Sequence, residues 1–180
     1  MQFHVVEFVF EGTGLACVAR TDAAEAIRRL EATPASADII DAAPEDPHAV
    51  ERDEILRIVG VTSVPGGCAV TQPWGYAPKM PGVPTRLSVG TVCYGLYANP
   101  KSGNQGAIAR DGAIEGWDLH PGGGPYEDDT PEEVLASYLH QYHAVAFTCA
   151  FARLRPTGPR AVVGPPDRWV RLPERDFWKH

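Results

Sequence analysis

The chain has 180 residues, enough for one substantial core and short for two, so a single domain spanning residues 1–180 is expected. Its formal net charge is -7, which argues against generic nucleic-acid binding, where phosphate contacts supply most of the affinity. Hydrophobic residues make up 44% and charged residues 22%, as in a soluble globular protein, and no apolar run approaches the ~20 residues that cross a bilayer.

Residues 1–4 (MQFH) do not read as a signal peptide, and the four cysteines (Cys17, Cys68, Cys93, Cys149) form no CxxC. Both features point to buried thiols in a reducing cytoplasm. Only three of the 16 basic residues are lysine, a bias that, with the many alanines and prolines, suggests a GC-rich bacterial genome. Acids concentrate in residues 45–54 and 127–133, a surface that would suit a basic protein partner.

In chain order, residues 3–10 (FHVVEFVF) predict a strand, with residues 15–19 returning as its hairpin partner. A helix follows, capped by Asp22 with Glu25 closing a capping box, its apolar stripe formed by Ala23, Ala26, Ile27 and Leu30 and its end set by Thr33-Pro34. Residues 35–53 read as a surface connection. Residues 55–64 and 68–74 predict a hairpin turning at Pro65-Gly66-Gly67. The prolines of residues 75–84 predict a stiff loop without regular structure.

A long strand is expected over residues 87–98, a turn over 99–104, then strands over 105–110 and 113–120 joined by Asp111-Gly112. A glycine loop (residues 121–125) leads to a long helix. Its start is marked by Thr130, Pro131 and Glu133, its apolar stripe runs from Val134 to Cys149, and Pro156 stops it. The proline- and aromatic-rich residues 157–180 are expected to wrap the body. Together these elements predict an α+β domain: an antiparallel β-meander packed against one long helix in the C-terminal half and a short N-terminal helix.

Two places could carry chemistry. Asp118 and His120 share one face of a predicted strand, and His140 and His143 share one face of the long helix. Were these four to converge, they would suit acid–base work or a divalent metal such as Zn²⁺, although no HExxH or other metal motif is present and no resident cofactor is expected. The turn bearing Asn99, Lys101, Ser102, Asn104 and Gln105 could hold an anion on its backbone N–H groups, but it is not a Walker A loop. Trp74, Tyr76, Tyr94, Tyr97 and Trp117 gather around the same sheet, Tyr94 and Tyr97 on opposite faces.

Several short stretches also resemble a family of short actinobacterial domains of unknown function. They are Ala26-Ile27-Arg28-Arg29-Leu30, Val59-Gly60-Val61-Thr62, Gly66-Gly67, Gly75-Tyr76, Leu87-Ser88-Val89-Gly90-Thr91 and His143-Ala144-Val145-Ala146-Phe147. The resemblance covers residues 3–155, departs from the pattern over residues 94–124, and implies a style similar to immunity-type proteins. The expectation is a cytoplasmic bacterial binding or accessory module that recognises a protein partner. The alternative is a small enzyme or ligand-binding protein with its site between sheet and long helix. No membrane is expected as partner, and whether the chain is an enzyme or an oligomer stays open.

Overall fold

A computed structural model of the chain describes residues 12–36, 56–73, 75–99, 104–119, 121 and 144–179. The fold is α+β, built on an eight-stranded antiparallel sheet. In chain order the elements are β1 (Thr13–Ala19), α1 (Ala23–Leu30), β2 (Thr33–Pro34), β3 (Ile58–Val64), β4 (Gly67–Pro73), a 3-10 turn (Ala77–Lys79), α2 (Gly82–Leu87) and β5 (Val92–Ala98). Then come β6 (Gln105–Arg110), β7 (Ala113–Asp118), α3 (Ala144–Phe151), α4 (Arg160–Val163) and β8 (Arg168–Arg171).

The strand order is β2-β8-β3-β4-β1-β5-β6-β7. Only β3-β4 and β5-β6-β7 are neighbours by simple succession. β1 lies between β4 and β5, and its run Leu15-Ala16-Cys17-Val18 is buried on both faces, which is why it reads as continuous rather than alternating. Of the expected first hairpin, residues 3–10 lie outside the described residues.

Helices cover both faces. On one, α1, the 3-10 turn and α2 bury Ala16, Val18, Val61, Val70 and Cys93. On the other, α3 and α4 bury Leu15, Cys17, Ala69, Tyr94 and Leu96. The edges are blunted. β2 is two residues long and contains Pro34, while β7 alternates exposed with half-buried residues and carries Glu115 in an ion pair with Arg110 at 3.3 Å.

Several expectations need correction. The proline-rich segment after Gly75 is not an irregular loop: it forms the 3-10 turn and α2. Pro78 is the second residue of the former, and Pro81 and Pro84 sit at the cap and in the first turn of the latter, where backbone N–H groups have no intrahelical partner to lose. The strand expected from residue 87 therefore begins only at Val92, after a turn in which Gly90 takes φ 67°. The strand expected over residues 55–64 is seen from Ile58 to Val64. Of the long helix, residues 130–143 lie outside the described residues. Its end is set before Pro156 by Arg153 at φ 58°, where Leu154 N donates to the Cys149 carbonyl at 2.8 Å.

The cap of α1 is half as expected. Asp22 Oδ1 accepts from Glu25 N at 2.8 Å, but the Glu25 carboxylate does not close a capping box. It binds Arg28 (2.7 Å) and Arg29 (2.8 Å) instead, and the helix ends in a left-handed Glu31 rather than at Thr33-Pro34. The hydrogen bonds from Arg28 and Arg29 push the Glu25 carboxyl down to about 2. A depressed folded-state value stabilises the fold above the ordinary carboxylate range, and that contribution is lost as pH falls from about 4.5 towards 2. Glu25→Gln is expected to flatten this acid limb in urea melts between those pH values. The change should be small, because water screens the exposed carboxylate.

Residues 157–179 are part of the body. β8 pairs with β2 and β3, Val170 opposite Val59, and Leu172 and Phe177 enter the core.

Candidate binding site

β5 sorts its side chains by alternation: Cys93, Gly95 and Tyr97 towards the 3-10 turn, Tyr94 and Leu96 towards α3. Gly95 permits a close approach. A side chain there would overlap the Pro78 carbonyl oxygen, so its absence lets the 3-10 turn lie directly on the sheet. That approach carries Lys79 over β6 and β7. Lys79 Nζ donates to Gln105 Oε1 at 2.9 Å and stands 5.5 Å from the centre of the Trp117 ring. Partial burial of this ammonium lowers its pKa.

Aromatic rings continue the same surface. Tyr97 is the cross-strand partner of Gln105, and its hydroxyl accepts from Asn99 Nδ2 at 2.9 Å. Tyr76 meets the Tyr97 ring edge-on at 6.0 Å and lies against Trp178 at 5.8 Å. Trp178 is held out by the anchor before it: Phe177 is buried, and its carbonyl accepts from Gly82 N at 2.7 Å. The result is a connected rim, Trp178–Tyr76–Tyr97–Gln105–Lys79–Trp117. Its outer rings are open to solvent, Tyr76 at 38%, Trp117 at 51% and Trp178 at 51%.

The opposite face carries a different pair. Tyr94 is fully buried, and its hydroxyl donates to Asp118 Oδ2 at 2.6 Å. Its ring packs edge-on against Phe147 (5.6 Å) and Phe151 (5.1 Å) and runs over Gly106, where any side chain would collide with it. Burial first, and then the hydrogen bond to Asp118, hold the phenol well above its usual range. Such a phenol keeps its proton at neutral pH and serves as a donor, not as a base.

Antiparallel pairing brings the two sequence-predicted places to one end of the sheet. Gly106, beside Gln105, pairs with Asp118, so Asn99 and Gln105 lie at the same end as the carboxylate. They are on opposite faces, however, because Gln105 and Gly106 are consecutive. Asn104 directly precedes β6. Lys101 and Ser102 lie outside the described residues, as do His120, His140 and His143. No group of three His, Cys, Asp or Glu side chains gathers among the described residues.

The thiols suit packing better than nucleophilic attack. Burial pushes Cys93 well up and Cys68 up to about 12, and the hydrogen bond to Cys149 together with burial raises Cys17. Among the described residues the one fully enclosed side-chain amide, Gln72, is also structural. It donates to the Leu56 (2.9 Å) and Ile58 (3.1 Å) carbonyls and accepts from Ala77 N (2.8 Å), tying β4 to the start of β3 and to the 3-10 turn.

Charge is distributed unevenly. Only Arg52 and Lys101 of the 16 basic residues fall outside the described residues. Of the 23 acids, the described ones are Asp22, Glu25, Glu31, Asp111, Glu115, Asp118, Asp167, Glu174 and Asp176. The acidic runs of residues 45–54 and 127–133 are thus no part of the described surface, which has an excess of arginine.

Sequence reasoning did not single out Lys79 or connect Trp178 to the sheet. The available signal was Gly95, a small residue at the centre of an apolar strand, which marks where another backbone lies close. Among the described residues, no helix is long and apolar enough to cross a membrane. Comparison with protein families, with curated proteins and with solved structures gives no match to this chain.

Proposed function

We propose that this chain is a binding module that recognises a protein partner through the aromatic rim at the β5–β6–β7 end of the sheet. One observation carries the reading: three large, solvent-open aromatics (Tyr76, Trp117 and Trp178) are fixed on one connected surface by buried anchors. Tyrosine and tryptophan are the side chains that most often dominate protein interfaces, since they bury large area at little rotamer cost. The amides of Asn99 and Gln105 and the Lys79 ammonium supply polar contacts beside the rings. The acidic runs do not enter the reading, so a basic partner is no longer its premise. The four thiols fit a reducing bacterial cytoplasm as the place of action.

The test compares immobilised wild-type chain with the double variant Trp117→Ala/Trp178→Ala, in extracts of the source organism and then with the purified partner. Both tryptophans are half exposed, so the variant is expected to melt within a few degrees of wild type. A protein retained by wild type is expected to bind the double variant at least roughly 30-fold more weakly, as for loss of an interface anchor. Equal retention by the two chains rejects the rim as the binding surface.

A further inference from the structure

The structure assigns a redox modification site to Cys17 and Cys149: we propose that a hydroperoxide converts this pair, and neither of the other two thiols, into an intramolecular disulfide that fastens α3 to the central strand. Cys17 projects from β1 towards α3, and Cys149 projects back from the last turn of that helix. Their sulfurs lie 3.7 Å apart and share a hydrogen bond, although the residues are 132 positions apart in sequence. A disulfide needs about 2 Å between sulfurs, so closure asks for a side-chain rotation and a small shift of one helix end.

The other two cysteines are a built-in control. Cys68 and Cys93 are both cross-strand partners of Val18, one on each side of β1, and both point to the opposite face. Two strand spacings, about 9–10 Å, separate their backbones, beyond the reach of a disulfide. The sheet itself lies between them and Cys17.

Access and acidity give the order of events. Cys17 is wholly buried, whereas Cys149 is 8% exposed. The hydrogen bond from Cys17 also lowers the Cys149 pKa, against the effect of burial. Cys149 thiolate attacks the peroxide oxygen: an S–O bond forms, the O–O bond breaks, and the leaving oxygen departs protonated as water or alcohol. Cys17 sulfur then attacks the Cys149 sulfenic sulfur: the S–S bond forms, the S–O bond breaks, and hydroxide leaves with the Cys17 proton as water. Two electrons pass from the sulfurs to the peroxide, and a dithiol reductant reverses the change.

The experiment treats the full-length chain with hydrogen peroxide, alkylates the remaining thiols and maps them by mass spectrometry. Expected are two alkylated cysteines (Cys68 and Cys93), a peptide pair joined through Cys17 and Cys149, and reversal by dithiothreitol. The oxidised chain should melt higher by roughly 6–12 °C, because the crosslink closes a very long loop of the unfolded chain. Cys149→Ser is expected to leave three alkylatable thiols and no internal link. The wild-type map stands without that variant, should it fold poorly. Four alkylatable cysteines after treatment overturn the proposal. So do a Cys149 carried on to sulfinic acid with Cys17 unlinked, or a link that includes Cys68 or Cys93.

Discussion

Gly67→Ala is expected to destabilise the protein by about 3 kcal/mol or more, the upper range for overpacking at a site that cannot relax. Gly67 opens β4, opposite Ala19 of β1 and Val64 of β3. A methyl group there would overlap the Val18 carbonyl oxygen, and that oxygen belongs to the backbone of the most buried strand. No side-chain rotation relieves such a contact; β4 would have to move off β1. Since a domain of this kind is stable by about 5–15 kcal/mol, the variant should lose a large part of its urea midpoint or fail to accumulate. Gly90→Ala is the informative comparison. Gly90 has open space around it and only a left-handed φ of 67° to defend, so about 1 kcal/mol is expected. Equal midpoints for the two variants would mean that β4 does not approach β1 this closely.

Tyr94→Ala is expected to cost about 3–5 kcal/mol, as for other large aromatic truncations in a core. The ring fills the space between β5, Gly106 and the two phenylalanines of α3, so its removal leaves a cavity and takes away the Tyr94 hydrogen bond to Asp118. Tyr94→Phe keeps the ring and should cost only about 1–2 kcal/mol. The two variants thus separate packing from hydrogen bonding.

The phenol adds a pH signature. Its folded-state pKa is raised, so its contribution is complete below the ordinary phenol value of about 10 and is lost as pH rises beyond it, where the unfolded chain ionises and the folded one resists. Urea midpoints of the wild type should therefore fall more steeply above pH ~10 than those of Tyr94→Phe. Parallel curves would show that the Tyr94 hydroxyl is not enclosed as described.

The rim and the core face share one strand, β5. Tyr94 anchors β5 to α3, while Gly95 and Tyr97 place the 3-10 turn and the aromatic rings on the other side. The proposed Cys17–Cys149 link would act on the same helix, two residues from both Phe147 and Phe151.

Much of the local structure was legible from residues alone, wherever the physics is local. Asp111-Gly112 turns with both residues at positive φ, as an Asp-Gly hairpin requires, and β6 occupies the predicted residues. Asp22 caps α1, and the expected turn joins β3 to β4 through Pro65-Gly66, with Gly67 already in β4. Strand alternation correctly placed Tyr94 and Tyr97 on opposite faces. The α+β class followed from these signals together.

Tertiary structure decided what depends on partners distant in sequence. Nothing local told β1 to lie between β4 and β5, because a strand buried on both faces has no polar side to orient it. The prolines of α2 read as loop until the helix they begin could bury Val83 and Leu87 against the sheet. β8 has one well-buried apolar residue, Val170, and is a strand only because β2 and β3 bind its two edges. The rim is the clearest case. Residues from the 3-10 turn, three strands and the C-terminal segment meet there because Gly95 admits the turn and Phe177 anchors the segment, contacts that no spacing in the sequence announces.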